Sequence, residues 1–157
     1  LFAWPWPKIP QLMHMKLITT LACFLALVFA TTLGAAGTHL KTEKPLRIAQ
    51  GMEVSLTDFL VPQKFTVFDF TSEYCPPCRR YTEPLLHLHQ QRADIAVIKV
   101  DINRPEIHRI DWQSPVAKQY GMRSIPHFKV YGPQGDLLAD GDEARAMVDG
   151  WIAGLPQ

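Results

Sequence analysis

The stretch FTVFDFTSEYCPPCRR, residues 65–80, decides the fold of this chain. Its first half is rich in β-branched and aromatic residues, and this composition predicts a buried strand over 65–71. Two cysteines follow, Cys75 and Cys78, with prolines at the two positions between them. Proline is tolerated in the first turn of a helix, where its missing N–H is not needed. The stretch therefore predicts a strand, a tight turn and a helix that begins directly after Cys75.

A cysteine at the start of a helix lies among free backbone amides and at the positive end of the helix dipole. Both favour the thiolate, so the pair Cys75 and Cys78 has the chemistry of a dithiol that cycles with a disulfide. A zinc site would need two further ligands of matching spacing, and the 157-residue chain has no second cysteine pair. A structural disulfide across so small a loop would restrain the unfolded chain very little. Redox chemistry is the favoured interpretation, and we expect neither a metal nor a bound cofactor.

Composition narrows the other possibilities. The formal net charge is +1, so no polybasic surface indicates nucleic-acid binding. A chain of 157 residues with 47% hydrophobic residues is enough for one domain with its own core. We expect the protein to be a monomer.

The N-terminal region has the pattern of a targeting sequence. Residues 13–36 combine a short basic start, an apolar run and a small-residue end, which predicts a signal peptide cut after Ala36 and export to the periplasm. The alternative is an uncleaved membrane anchor over 17–36, because the apolar run approaches the roughly 20 residues that span a bilayer. Residues 1–12, rich in Trp and Pro, are interpreted as a non-native or disordered extension, and residues 37–45 as a linker.

The remaining chain predicts an α/β fold with a central mixed sheet and helices on both faces. We expect a short helix after a capping-box pattern at Ser55, and one amphipathic helix to about Arg92 that is kinked at Pro84. His87 and His89 are expected on its surface. The predicted strands are 46–49, 65–71, 95–101, 127–131 and 137–139, and further helices are predicted over 115–120 and 144–152.

Residues 46–155 resemble the thioredoxin family. Asp69 lies six residues before the first cysteine, as the buried acid of that family does, and Lys99 lies where the family often places the partner of that acid. The segment GMRSIPH, residues 121–127, matches the loop that carries the family's cis-proline, with Pro126 in that role. The resemblance implies a thioredoxin fold and a thiol–disulfide oxidoreductase.

The resemblance also implies roles for these residues. Cys75, expected to be the more exposed thiol, would attack a substrate disulfide, and the more buried Cys78 would resolve the mixed disulfide. Asp69 would accept the proton of Cys78 if burial raises its pKa. The alternative is that Asp69 is a structural carboxylate paired with Lys99.

The predicted substrate-binding residues surround the two cysteines. A cis bond before Pro126 would leave the backbone of Ile125 free to pair with an extended substrate strand. Tyr74 stands where the family commonly has Trp, and Pro76 and Pro77 replace the commoner Gly-Pro pair.

Pro77 cannot donate an N–H to the Cys75 thiolate, so its stabilisation would come mainly from the Cys78 amide and the helix dipole. We therefore expect a moderately acidic Cys75 thiol, and hence a reductant-leaning or isomerase-like protein.

The expected partners are protein disulfides or dithiols, together with a membrane redox partner that supplies electrons. One alternative is a dedicated reductase in cytochrome c maturation. Another, of a different class, is a Cu(I)-binding metallochaperone that uses the thiolates as soft ligands. Trp112 is predicted to cover the edge of the core, with a partner-binding anchor as the alternative.

Overall fold

The computed structural model describes residues 39–156. The predicted signal peptide or anchor and the predicted N-terminal extension therefore lie outside the described residues. Within residues 39–156, no helix is both long enough and apolar enough to cross a bilayer.

A five-stranded mixed sheet forms the centre of the fold. Its strands are β1 (Leu46–Ile48), β2 (Phe65–Thr71), β3 (Ile95–Asp101), β4 (His127–Tyr131) and β5 (Leu137–Asp140). Their order across the sheet is β1-β3-β2-β4-β5. The first three strands are parallel to one another, whereas β4 is antiparallel to β2 and β5 is antiparallel to β4. The predicted central mixed sheet is confirmed, and β2 with the cysteines at its end lies in the middle.

Helices cover both faces of this sheet. They are α1 (Pro76–Arg79), α2 (Thr82–Gln91), α3 (Pro115–Gln119) and α4 (Asp142–Ala153), and a 3₁₀ turn spans Leu56–Phe59. Alternation along β2 sends Phe68 and Phe70 into the core cluster that includes Val116 of α3. Val67 enters the opposite cluster, which includes Leu85 of α2 and Val148 of α4. The predicted α/β fold with helices on both faces is therefore confirmed.

The single helix predicted between the cysteines and Arg92 is wrong. The chain forms α1 and then α2, and Arg80 and Tyr81 separate the two helices. Pro84 is the third residue of α2, where a backbone N–H would have no partner inside the helix. The break between the helices lies before Pro84. The predicted kink at Pro84 does not form, because the first turn of a helix tolerates proline.

The predicted capping box at Ser55 is also wrong. The Ser55 side chain makes no capping bond, because its hydroxyl lies 2.9 Å from the hydroxyl of Thr57 instead. Only a 3₁₀ turn of four residues forms there.

Residues 39–45, the described part of the predicted linker, lie against the domain. The ammonium of Lys41 donates to the carbonyl of Arg92 at 2.7 Å. His89 Nδ1 accepts from the Val97 N–H at 3.0 Å, so Nε2 carries the proton and donates to the Thr42 carbonyl at 2.8 Å. His89 is buried, and the prediction that it lies on the helix surface is wrong. Burial lowers the pKa of His89, which keeps the ring neutral.

Candidate active site

The two cysteines lie where β2 ends and α1 begins. Cys75 and Cys78 form a disulfide with their Cα atoms 5.3 Å apart. Cys75 is the N-cap of α1, and its sulfur accepts the N–H of Cys78 at 3.2 Å. Pro76 and Pro77 fill the first two helical positions and bring no N–H of their own. The local sequence thus positions both sulfurs, and one backbone amide contacts the sulfur of Cys75.

Both cysteines are buried in this disulfide state. Cys75 is 1% exposed and Cys78 is 2% exposed. The expectation that Cys75 is the more exposed of the two is therefore wrong for this state. The neighbouring Pro76 and Pro77 are exposed instead, so the prolines rather than the sulfurs form most of the accessible surface here.

The proline loop lies directly beside the redox pair. The peptide bond between Ile125 and Pro126 is cis. The carbonyl oxygen of Ile125 is 3.7 Å from the Cys75 sulfur. The guanidinium of Arg145, on α4, donates to the Pro126 carbonyl at 2.7 Å. The structure therefore brings Cys75, Ile125 and Pro126 together, although they are about fifty residues apart in the chain.

Asp69 is a buried acid that has no hydrogen-bond partner among the described residues. It is 1% exposed, and neither carboxylate oxygen has a hydrogen-bond partner in residues 39–156. Burial raises the pKa of Asp69 to about 7, although Lys99 and then Arg47 oppose this by attraction. An acid with a pKa near neutrality can both accept and release a proton under physiological conditions.

Lys99 lies beside Asp69 but does not pair with it. Strand register makes Lys99 the direct neighbour of Asp69 on one side and of Arg47 on the other. Arg47 instead forms an ion pair with Asp101. The alternative in which Asp69 is a structural carboxylate paired with Lys99 is therefore not what the structure contains, and Lys99 acts on Asp69 only through its charge.

A loop over residues 103–114 reaches the site from the end of β3. The hydroxyl of Tyr74 and Nδ1 of His108 are 3.0 Å apart. Asn103 organises the loop, because its side-chain amide donates to the carbonyls of Ile107 and Arg109. Its oxygen accepts from the Ser72 hydroxyl at 2.6 Å, which ties the loop to the end of β2. Trp112, predicted to cover the edge of the core, is one of the exposed large hydrophobic side chains.

A second buried acid holds this loop in shape. Asp111 receives two bonds from the guanidinium of Arg104, at 2.7 and 3.1 Å, and a third from the Gln113 N–H. The bond from Arg104 is the main reason that the pKa of Asp111 is lowered. Gly51 (φ +82°) packs against Arg104, whose backbone nitrogen would be 2.6 Å from a Cβ added there. Only glycine fits this contact.

Sequence reasoning missed several residues of this site, namely Ser72, Asn103, His108, Arg47 and Arg145. A signal existed for Ser72 and Asn103. Ser72 directly follows β2 and Asn103 is the second residue after β3, and the carboxyl ends of parallel strands meet at one edge of a sheet. His108 and Arg145 carry no comparable signal, because the packing of the 103–114 loop brings His108 to the site and the packing of α4 brings Arg145 there. Residues 39–156 hold no group of three or more His, Cys, Asp or Glu side chains arranged to bind a metal.

Comparisons with known proteins agree with this geometry. The family model described as Thioredoxin matches residues 52–149. A thioredoxin H-type of Brassica campestris is 32% identical over 65 residues, which cover 41% of this chain and 46% of that protein. A thioredoxin of Streptomyces clavuligerus is 31% identical over 74 residues, which cover 47% of this chain and 62% of that protein. The chain thus spans about half the length of the curated relatives that it matches.

Two solved structures are also similar. A mutant thioredoxin from Halobacterium salinarum NRC-1 is 19% identical with a TM-score of 0.48, and the match covers 76% of this chain and 97% of that one. The long form of thioredoxin f from spinach chloroplast is 18% identical with a TM-score of 0.49, and the match covers 71% of this chain and 86% of that one.

Proposed function

Since this chain belongs to the thioredoxin family, we propose that it catalyses thiol–disulfide exchange on protein substrates through Cys75 and Cys78. One observation carries the proposal. The bonded pair lies at the start of α1, and the carbonyl of Ile125 is 3.7 Å from the Cys75 sulfur. This arrangement provides a nucleophile, a resolving thiol and a backbone edge for a substrate in one place.

The first step begins from the reduced pair. The Cys75 thiolate attacks one sulfur of a substrate disulfide, so that a new S–S bond forms and the substrate S–S bond breaks. The departing substrate sulfur leaves as a thiolate and takes up a proton. The Cys78 N–H, which contacts the Cys75 sulfur at 3.2 Å, stabilises the attacking thiolate. Pro126 and Ile125 hold the extended substrate beside it, and Tyr74, Pro76 and Pro77 form the adjoining surface.

The second step releases the substrate. Cys78 loses its proton, attacks the Cys75 sulfur and forms the internal disulfide, while the second substrate sulfur leaves as a thiolate and is protonated. Two electrons pass from the cysteine pair to the substrate disulfide. Asp69 is the acceptor of the Cys78 proton, because its raised pKa of about 7 suits proton transfer at neutral pH. Lys99 tunes that acid by its charge.

The direction of flux is reductant-leaning. Pro76 and Pro77 have no N–H, so the amide of Cys78 is the contact that supports the Cys75 thiolate. Modest thiolate stabilisation leaves the disulfide form favoured, which makes the reduced pair a donor. A measured reduction potential near about −250 mV agrees with this, and one near about −120 mV would contradict it.

The proposed location is outside the cytoplasmic membrane, in the periplasm. The support is the signal-like pattern of residues 13–36, with an anchor over 17–36 as the alternative. Electrons would then have to come from a membrane dithiol partner, and cytochrome c maturation is one pathway with that need. Protein sequencing of the mature N-terminus from fractionated cells tests this. A start near residue 37 supports cleavage, and an intact 13–36 segment in a soluble cytoplasmic fraction contradicts export.

The exchange activity is tested by trapping. The variant Cys78→Ala cannot resolve, so substrates should accumulate as mixed disulfides on Cys75 and be released by dithiothreitol. The variant with both cysteines replaced by Ala is the control and should trap nothing. Failure of the single variant to trap any partner, together with stoichiometric Cu(I) uptake and no reduction of insulin by the parent protein, would favour the metallochaperone instead.

A further inference from the structure

We propose that the groove beside the redox pair binds a carboxylate side chain of the substrate, so that acidic polypeptide segments are the preferred disulfide partners. This inference rests on the proposed exchange activity and specifies its substrate class. It depends on the shape of the groove, on its charges and on the hydrogen-bond donors left there.

The groove, of about 390 Å³, lies between two parts of the fold. Pro77 of α1, the two residues between α1 and α2, and Pro84 of α2 form one wall, and Pro126 and α4 form the other. Pro77 precedes Cys78 in the chain, and Pro126 follows Ile125, whose carbonyl is 3.7 Å from the Cys75 sulfur. A substrate strand held along Ile125 would therefore extend a neighbouring side chain into this groove.

The charges in the groove favour an anion. Arg80, Arg145 and Asp149 line it, which leaves one net positive charge. Asp149 accepts the hydroxyl of Tyr81 at 2.8 Å through Oδ1 and keeps its negative charge, so the positive excess of the lining comes from the second arginine. Arg80 is exposed, and no ion pair within residues 39–156 engages it.

Arg145 keeps a donor for a ligand. Its Nη2 donates to the Pro126 carbonyl at 2.7 Å, and no hydrogen bond within residues 39–156 engages its Nη1. The side chain is 38% exposed and lines the groove. The nearest carboxylate, that of the fully exposed Asp142, is 3.9 Å away, which is beyond hydrogen-bond range. Guanidinium groups prefer planar carboxylates, which they bind through two parallel bonds.

The remaining lining is apolar and fits a side chain rather than a free ion. Pro77, Pro84 and Ile152 contribute aliphatic surface, and the ring of Tyr81 is fixed by an edge-on contact with Phe128. A glutamate that enters between these walls would bury its methylene groups and bring its carboxylate to Arg145 and Arg80. The groove thus has the chemistry of an acidic-peptide site.

The test uses two synthetic disulfide-bridged peptides that differ only in glutamates or glutamines beside the attacked cysteine. The full chain is reduced beforehand, and the single-turnover rate is measured against peptide concentration. The acidic peptide should react about tenfold faster below saturation, through tighter binding. Added salt should shrink this advantage. In Arg80→Gln and in Arg145→Gln the ratio of the two rates should fall toward one.

Arg79→Gln is the matched control, because Arg79 is an exposed arginine next to Arg80 that does not line the groove. Its ratio should equal that of the parent. Equal rates for the two peptides in the parent would overturn the inference. So would an unchanged ratio in both groove variants, even if Arg145→Gln slows both peptides by disturbing the Pro126 loop. No reaction with either peptide or with neutral hydroxyethyl disulfide would instead contradict the exchange activity itself.

Discussion

Two aspartates of this domain are almost equally buried and yet are opposite in character. Asp69 on β2 is 1% exposed and Asp111 in the 103–114 loop is 4% exposed. Asp111 receives three hydrogen bonds, two of them from Arg104, and its pKa is lowered. Asp69 receives none from the described residues 39–156, and burial raises its pKa to about 7. Burial alone therefore does not set the protonation state of a carboxyl group, because the available donors decide it.

The difference separates a structural acid from an acid that is free to titrate. The bonds to Asp111 stabilise the loop that brings His108 to Tyr74. The carboxylate oxygens of Asp111 therefore have a structural role. The oxygens of Asp69 accept no hydrogen bond from the part of the chain that the structure describes, and a buried polar group without partners costs about 1–3 kcal/mol. An acid kept at that cost in the strand that leads to the redox pair fits a role in proton transfer, and the following predictions test the contrast.

The largest expected effect is that Asp69→Asn removes a pH dependence of the free energy of unfolding that the parent protein shows. The folded state holds the Asp69 proton up to about pH 7, whereas the unfolded chain releases it near the ordinary value of 3.8. The free energy of unfolding of the parent should therefore fall as pH rises from 5 to 8, by about 3 kcal/mol from this group. Urea unfolding of the oxidised protein at both pH values should show that Asp69→Asn lacks this fall. Asp58→Asn, at an exposed position, should keep it.

Asp111→Asn should have the next largest effect. The contribution of Asp111 to stability should depend on pH with the opposite sign to that of Asp69. Losing the charged bonds to Arg104 should lower the free energy of unfolding at pH 7 by about 2 kcal/mol. Because the folded pKa of Asp111 is depressed, this cost should be complete above the ordinary aspartate pKa and should vanish as pH falls through the lowered value. The contrast would fail if Asp111→Asn were stabilising at pH 7, as measured by the same urea titration.

Lys99→Met should change the titration of Asp69 without removing the acid. The ammonium lowers the Asp69 pKa by attraction, so its loss should raise that pKa further. If Asp69 accepts the Cys78 proton, the rising limb of the resolution rate should move to higher pH in Lys99→Met and disappear in Asp69→Asn. Stopped-flow release of a chromophoric thiol between pH 5 and 9 measures this. An identical profile for the parent and Asp69→Asn would remove Asp69 from the mechanism.

The smallest expected effect is that of Tyr74→Phe. The substitution removes the contact between the Tyr74 hydroxyl and His108, a residue of the loop that Asp111 stabilises. It keeps the aromatic ring at the position before Cys75. The exchange rate with a peptide disulfide should change by less than about threefold. A much larger loss would show that the Tyr74 hydroxyl takes part in the reaction.

Regular patterns predicted the fold well. The runs over 65–71 and 95–101 are apolar enough to be central strands, and both are. The cysteines with their two prolines predicted a strand followed by a helix, because those local rules depend only on neighbouring residues. The resemblance at 121–127 likewise singled out the loop that lies beside Cys75.

What the sequence could not provide depends on distant packing. Strand register makes Lys99 a neighbour of Asp69 without making it a partner, and no local pattern distinguishes the two. His89 looks like a surface residue by helix position, but the N–H of Val97 and the carbonyl of Thr42 give it a buried place. The helix break at Arg80 and Tyr81 was missed because Pro84 is an obvious breaker, and it sits where proline is harmless.

The near-complete burial of Cys75 and Cys78 has a consequence for the environment in which the protein works. In the oxidised protein, Pro76 and Pro77 are exposed to solvent whereas the two sulfur-bearing residues are almost fully buried, so small thiols have little access to the disulfide. We therefore expect small thiols to reduce the Cys75–Cys78 disulfide slowly, so that exchange with the ambient redox buffer would be slower than exchange through a docked protein partner.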